Sequence, residues 1–317
     1  MQLQTNITLK PQQHNQINYH SKIILFGSCF SENIGDKLSY YKFQNLLNPF
    51  GILFHPKAIE NLILKAINVN VYTDNDVFFH NERWHSFDAH SALSATTKEE
   101  ILNSLNNAIT LTNNQLRDST HIIITLGTAW SYRFIETDRI VANCHKIPQK
   151  KFLKELLSVD DLVESLASIV ALIKSVNNQA SVLFTISPVR HIKDGFVENM
   201  RSKSHLIASI HQIVEPRNNV HYFPSYEIMM DELRDYRFYK EDMLHPNQTA
   251  IDYIWEQFCN AWISEVGQKT IQKVETIQKG LSHKPFNSNS DEYRKFSDNL
   301  KCKIAQLQEE YPTVNFF

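Results

Sequence analysis

The sequence predicts an α/β protein: a parallel sheet with helices on both faces, followed by a C-terminal helical appendage. Three observations point there. Apolar runs of strand length recur at residues 22–26, 121–126, 181–186 and 220–223. Between them lie stretches whose apolar residues return at helical spacing. The runs at 121–126 and 181–186 are continuous rather than alternating, as strands buried on both faces require.

Taken in order, residues 22–26 (KIILF) read as a strand that ends at Gly27-Ser28-Cys29-Phe30, and residues 31–38 continue as a helix. A second helix begins at Pro56, a residue suited to a first helical position, and aligns Ile59, Leu62, Ile63 and Ala66 on one face. Two short aromatic runs around Asn81-Glu82 predict a hairpin, and a polar helix follows over 97–111. After the strand at 121–126, residues 131–142 read as an inserted hairpin turning at Glu136-Thr137-Asp138. Helices over 159–176 and 198–214 lead into the strands at 181–186 and 220–223. Residues 225–239 (SYEIMMDELRDYRFY) predict an amphipathic helix with Ile228, Met229 and Leu233 inward, and another helix follows Pro246. Residues 1–263 are expected to form the α/β domain, and 264–317 a polar helical extension interrupted over 282–289.

Composition narrows the function. The 317 residues are 42% hydrophobic and 21% charged, ordinary globular usage that argues against disorder or a fibrous repeat. Lys+Arg 32 against Asp+Glu 34 leaves a net charge of −2, without the basic field of a nonspecific nucleic-acid binder. No apolar run is long enough to cross a bilayer, and the polar first residues, MQLQTNITLK, contain no secretory h-region, so a cytoplasmic protein with neither nucleic-acid nor membrane partner is expected. The four cysteines lack CxxC spacing and read as free thiols.

In an open parallel sheet reactive groups gather beyond the carboxyl ends of the strands. Ser28 stands at a strand-to-helix turn, where free helix amides favour negative charge. His245 is a candidate base, and Asp242, three residues earlier, can hold its imidazole. The same residues also suit structural roles, Ser28 as a helix cap and Asp242/His245 as a capping pair for the helix after Pro246.

The segment Gly27-Ser28-Cys29-Phe30-Ser31 resembles the signature of the GSCFA family, which belongs with the SGNH (GDSL-like) hydrolases. The likeness continues through Asn48-Pro49-Phe50-Gly51, His90-Ser91, Leu126-Gly127-Thr128-Ala129-Trp130, Ser187-Pro188-Val189-Arg190-His191 and Asp242-Met243-Leu244-His245-Pro246. Ser31 replaces the Ala of the family name. The resemblance implies a three-layer, flavodoxin-like α/β/α sandwich and a serine hydrolase with Ser28 as nucleophile and Asp242 and His245 completing the triad. It also implies an oxyanion hole lined by the backbone N–H groups of Ser28 and Gly51. Where the wider superfamily has Gly-x-Asn-Asp, with a donor asparagine, this chain has Gly127-Thr128-Ala129-Trp130. Thr128, Trp130 through its indole N–H, or Asn143 is then the candidate for the missing donor.

The expected activity is cleavage of a carboxylic ester, an O-acyl group on a carbohydrate or other small polar molecule, with no cofactor. His90, Arg190 and His191 are candidate substrate-binding residues, and Cys29 is a rival nucleophile expected to point into the core. Acyl transfer through the same triad and a non-catalytic carbohydrate-binding module are the alternatives. A third is a metal-dependent hydrolase using His85, Asp88 and His90, whose residue types can ligate a divalent ion.

Overall fold

The computed structural model describes residues 5–287 and 290–316. Strand β1 (Lys22–Gly27) and helix α1 (Cys29–Tyr40) open the fold, followed by β2 (Gln44–Leu47) and α2 (Pro56–Ile67). A hairpin of β3 (Phe78–His80) and β4 (Arg83–His85) precedes α3 (Lys98–Asp118) and β5 (His121–Leu126). Next come β6 (Trp130–Phe134), β7 (Arg139–Val141) and β8 (Phe152–Leu156), then α4 (Val159–Val176), β9 (Ser181–Ile186), α5 (Phe196–Ile213) and β10 (Val220–Phe223). The short α6 (Ser225–Glu227), α7 (Gln248–Trp262), α8 (Glu265–Ser282) and α9 (Asp291–Glu310) complete the chain.

The central sheet has five parallel strands in the order β10-β9-β5-β1-β2. Because side chains alternate along a strand, neighbouring residues enter different cores. Ile24 and Phe26 of β1, with Ile122 and Ile124 of β5, join the core that receives α2, α3, α4 and α5. Ile23, Leu25 and Ile123 join the opposite core, with apolar residues of α1, α7, α8 and α9. The result is a three-layer α/β/α sandwich. The continuous runs over β5 and β9 are buried at every residue, as two covered faces demand.

Turn chemistry explains the local breaks. Asn81 and Glu82 both have positive φ, the backbone of a two-residue turn that matches strand twist, and so close the β3–β4 hairpin. At the end of β1, Gly27 has φ +141°, and a Cβ there would lie 2.2 Å from the Thr125 carbonyl oxygen. Only glycine lets β1 approach β5 this closely.

The structure differs from the sequence expectations in four places. Strand β2 has only two apolar residues in QNLL, none fully buried, and carries no periodic signal. Strand β8 pairs with β6, making the inserted hairpin a three-stranded sheet in the order β7-β6-β8. Residues 225–239 do not form one amphipathic helix: α6 runs into a single π turn over Ile228–Glu232, and a 3-10 turn follows at Tyr236–Phe238, although Ile228, Met229 and Leu233 are inward. The helix after Pro246 is capped by Asn247, whose side chain accepts the Ala250 N–H, and not by Asp242 or His245.

The two C-terminal helices form as expected, with residues 288 and 289 of the anticipated interruption outside the described residues. They pack on the sandwich. Val274, Ile277, Ile304 and Leu307 share a core with Ile17, Tyr19 and Phe43, and Tyr311 lies against Tyr19 at 5.1 Å between ring centres. Among the described residues, no helix is long and apolar enough to cross a membrane.

Candidate active site

The loops that leave the carboxyl ends of the strands tie to one another. Gly27 N–H donates to Asn48 Oδ1 at 2.9 Å, and Leu53 N–H to the Gly27 carbonyl at 3.1 Å. Gly127 N–H, one residue past β5, donates to the Phe54 carbonyl at 2.7 Å. Arg190 N–H, past β9, donates to the Leu244 carbonyl at 3.1 Å, which draws the 239–246 loop to the same edge. That loop closes on itself through a bridge between Tyr239 and Pro246 and a 2.7 Å hydrogen bond from Lys240 N–H to the His245 carbonyl.

Asp242 and His245 form one unit. Asp242 Oδ1 accepts the N–H groups of Leu244 and His245 at 2.8 and 3.0 Å, and Oδ2 lies 2.6 Å from His245 Nδ1. These bonds from the His245 and Leu244 backbone, then from the imidazole, hold the Asp242 carboxyl at about 2, well below the usual carboxylate range. Nε2 of His245 makes no hydrogen bond among the described residues, and the side chain is 37% exposed. An ionised aspartate on Nδ1 and an open Nε2 together suit a general base.

Ser28 is 1% exposed and caps α1, its Oγ accepting the Phe30 N–H at 3.2 Å. Neighbouring Cys29 is half-buried rather than turned into the core, which instead receives Phe30 and Ser31. Burial, then the Glu32 carboxylate, pushes the Cys29 thiol upward and disfavours its thiolate. The Lys240 ammonium acts on that thiol in the opposite sense.

The groups expected to line an oxyanion hole have partners of their own. Ser28 N–H continues the β1–β5 ladder, donating to Thr125 O at 3.1 Å, and Gly51 N–H closes a turn on Asn48 O at 2.7 Å. Both are already engaged. Thr128 Oγ1 pairs with Ser202 Oγ at 2.9 Å and accepts the Trp130 N–H, while Ala129 N–H also goes to Ser202. The Trp130 indole N–H is buried without a partner among the described residues, but its ring belongs to the β6–β8 sheet, with Lys154 Nζ 4.6 Å from its centre. Asn143 accepts the His145 N–H.

Of the three substrate-binding candidates, His90 packs on the Asn48–Gly51 turn: a Cβ on Gly51, whose φ is +71°, would lie 2.5 Å from His90 Cβ. Arg190 stacks over Tyr239 at 4.2 Å and Tyr236 at 5.3 Å, bracing the loop that bears His245. His191 sits against Gly127 and Phe54.

The metal reading of His85, Asp88 and His90 is not supported. His85 directs Nδ1 to Ser94 Oγ and Nε2 to the His80 carbonyl, and Asp88 is paired with Lys65 and Arg139. Their donor atoms are spent on separate partners. Among the described residues no group of three His, Cys, Asp or Glu side chains is arranged to hold a metal ion.

One residue near the site escaped the sequence reading. Lys203 of α5 is 1% exposed, and its Nζ donates to the carbonyls of Gly127 and Ser187, both at 2.7 Å, clasping the ends of β5 and β9. Burial pulls it down to about 7. Its signal was positional: it falls between Asn199 and Leu206 on the buried face of α5, where a lysine is out of place.

Residues 22–258 match the GSCFA family, and residues 274–317 match the GSCFA domain protein, C-terminal domain. The chain belongs to the GSCFA family. No curated protein matches it. Two solved structures resemble this GSCFA protein, each over 81% of this chain and 99% of its own: an acetyl esterase mutant with acetate ion, at 10% identity, and a carbohydrate esterase family 3 from Talaromyces cellulolyticus, at 8%. Both have a TM-score of 0.36, too low to bear on what this chain acts on.

Proposed function

We propose that this GSCFA protein is a serine hydrolase that cleaves a carboxylic ester, an O-acyl group on a carbohydrate or another small polar molecule. The Asp242–His245 unit carries the reading: a carboxylate anchored by two backbone N–H groups holds Nδ1 of an imidazole whose other nitrogen is open. Ser28 is the nucleophile. Its Oγ attacks the acyl carbon while His245 Nε2 takes the hydroxyl proton, and that proton then passes to the departing alcohol oxygen. Water, deprotonated by the same imidazole, attacks the acyl-enzyme, and Ser28 regains its proton as the acid leaves. Cys29, half-buried and with its thiolate disfavoured, is the weaker nucleophile.

A fluorophosphonate probe tests this directly. Labelling of the wild type that disappears in Ser28→Ala, persists in Cys29→Ala and parallels hydrolysis of p-nitrophenyl acetate is the expected result. A folded wild type that takes up no label at any pH between about 6 and 9 overturns it.

A further inference from the structure

The proposed chemistry, on which this inference rests, needs a donor for the oxygen that becomes negative in the tetrahedral intermediate. The groups expected to supply it are engaged elsewhere: Ser28 N–H with Thr125, Gly51 N–H with Asn48, and Thr128 with Ser202. The Trp130 indole N–H has no partner among the described residues either, but its ring belongs to the β6–β8 sheet. His191 Nε2 is likewise buried without a hydrogen-bond partner among the described residues, an arrangement that costs free energy unless something else uses it. The same atom lies 3.1 Å from where a Cβ on Gly127 would be, so the ring occupies the space above the residue at which the superfamily's asparagine block begins.

The surroundings hold the ring there. His191 N–H donates to Asn199 Oδ1 at 2.9 Å, Phe54 lies 6.1 Å away between ring centres, and the Gly127 backbone beneath is fixed by Phe54 O above and Lys203 Nζ below. Ser28 N–H reaches Thr125 O on the neighbouring strand, and Gly127 follows two residues after Thr125. We propose that His191 is a catalytic residue whose Nε2–H donates to the developing oxyanion, in place of the side-chain donor lost at Ala129.

Neutrality suits the role. Burial, then the nearby Lys203 ammonium and His245, pull the His191 imidazole down to about 3, so it is uncharged when His245 acts and too weak a base to compete for the Ser28 proton. With the proton on Nε2, the ring offers one donor beside Gly127.

The test compares His191→Leu, His191→Gln, His191→Asn and Trp130→Phe with the wild type on p-nitrophenyl acetate, with melting temperatures measured alongside. Glutamine can carry an N–H near the Nε2 position; asparagine falls short of it. His191→Leu and His191→Asn should lose kcat by roughly 10²–10³-fold with KM nearly unchanged, the loss typical of a missing oxyanion donor. His191→Gln should retain most of it, and Trp130→Phe should stay near wild type. Equal activity in His191→Asn and the wild type, or loss in Trp130→Phe instead, overturns the proposal while leaving the serine-hydrolase reading intact. Should His191→Leu fail to fold, the glutamine–asparagine contrast decides alone. A wild type that neither labels nor hydrolyses ester overturns both.

Discussion

Asp242 Oδ2 and His245 Nδ1 stand 2.6 Å apart while the other oxygen of Asp242 takes two backbone N–H groups, so the carboxylate fixes both the ring and the turn that presents it. Replacing Asp242 with Asn keeps the turn's acceptor but removes the charge and invites the wrong tautomer. The expected result is a fall in kcat of about 10³–10⁴ with little change in KM, as for the corresponding change in serine-protease triads. Because Asp242 titrates at about 2 in the folded protein, against ~3.9 for a free aspartate, it is ionised throughout the working range. The rate profile should therefore show no break from this group above pH ~4, and an Asp242-dependent break there would contradict the assignment.

The glycines at the site edge make a sharper structural prediction. Gly27→Ala sets a Cβ against the Thr125 carbonyl, backbone that cannot swing away, at a positive φ. A loss of several kcal/mol, on the order of 3–4, or failure to fold is expected from denaturant unfolding. Gly195→Ala is the control: its φ is also positive, but no atom among the described residues lies within 4 Å of a Cβ placed there, so only the backbone penalty of about 1–3 kcal/mol for that region applies.

Acid should destabilise the protein well before its carboxylates titrate. Burial pulls His55, His121 and His145 down to about 4 and His191 to about 3, below the ~6.5 of an unfolded histidine. Between those values the unfolded chain binds protons that the native one refuses, so the contribution of these histidines is complete above pH ~6.5 and declines as pH falls. For His55 the loss is on the order of 3 kcal/mol by pH ~4. His55 accepts the Ala58 N–H through Nδ1 and donates to the Val141 carbonyl through Nε2, which fits a neutral ring. His55→Asn, which still caps α2, should be less stable at pH ~7.5 yet show a shallower decline in urea midpoints towards pH 4.5. An unchanged slope would refute this account.

Lys203 should act at the other end of the scale. Burial lowers it to about 7, against ~10.4 unfolded, so the unfolded state holds the extra proton between those values and stability should rise as pH climbs through them. The gain is at most about 4 kcal/mol, since the two carbonyls it clasps favour the ammonium. Lys203→Met should flatten the rise and, by freeing the ends of β5 and β9, lower kcat.

Much of this was legible along the chain. The β5 and β9 runs, the β3–β4 turn at Asn81-Glu82 and the bounds of α4 follow from local periodicity and turn chemistry, which depend on neighbours in sequence. The spacing of Asp242 and His245 sufficed to predict their contact because three residues span one turn. Strand β2 was not legible, because its partner β1 supplies the pairing that its own four residues do not advertise. The helix expected over 225–239 failed for a related reason: packing of Ile228 and Met229 against α7 and the sheet is met by a π turn, not by continued α spacing.

What the sequence alone determined is therefore the order of elements, the layered class and the residues able to do chemistry, since these rest on period and residue type. Whether a given N–H is open or already spent was decided only by the tertiary structure. Ser28 and Gly51 looked like donors until Thr125 and Asn48 were seen to accept from them, and Lys203 and His191 gained meaning only when strands β5 and β9 brought Gly127 and Ser187 together beneath them. A hydrogen bond between distant segments has no period in the chain; it exists only where folding brings donor and acceptor within about 3 Å.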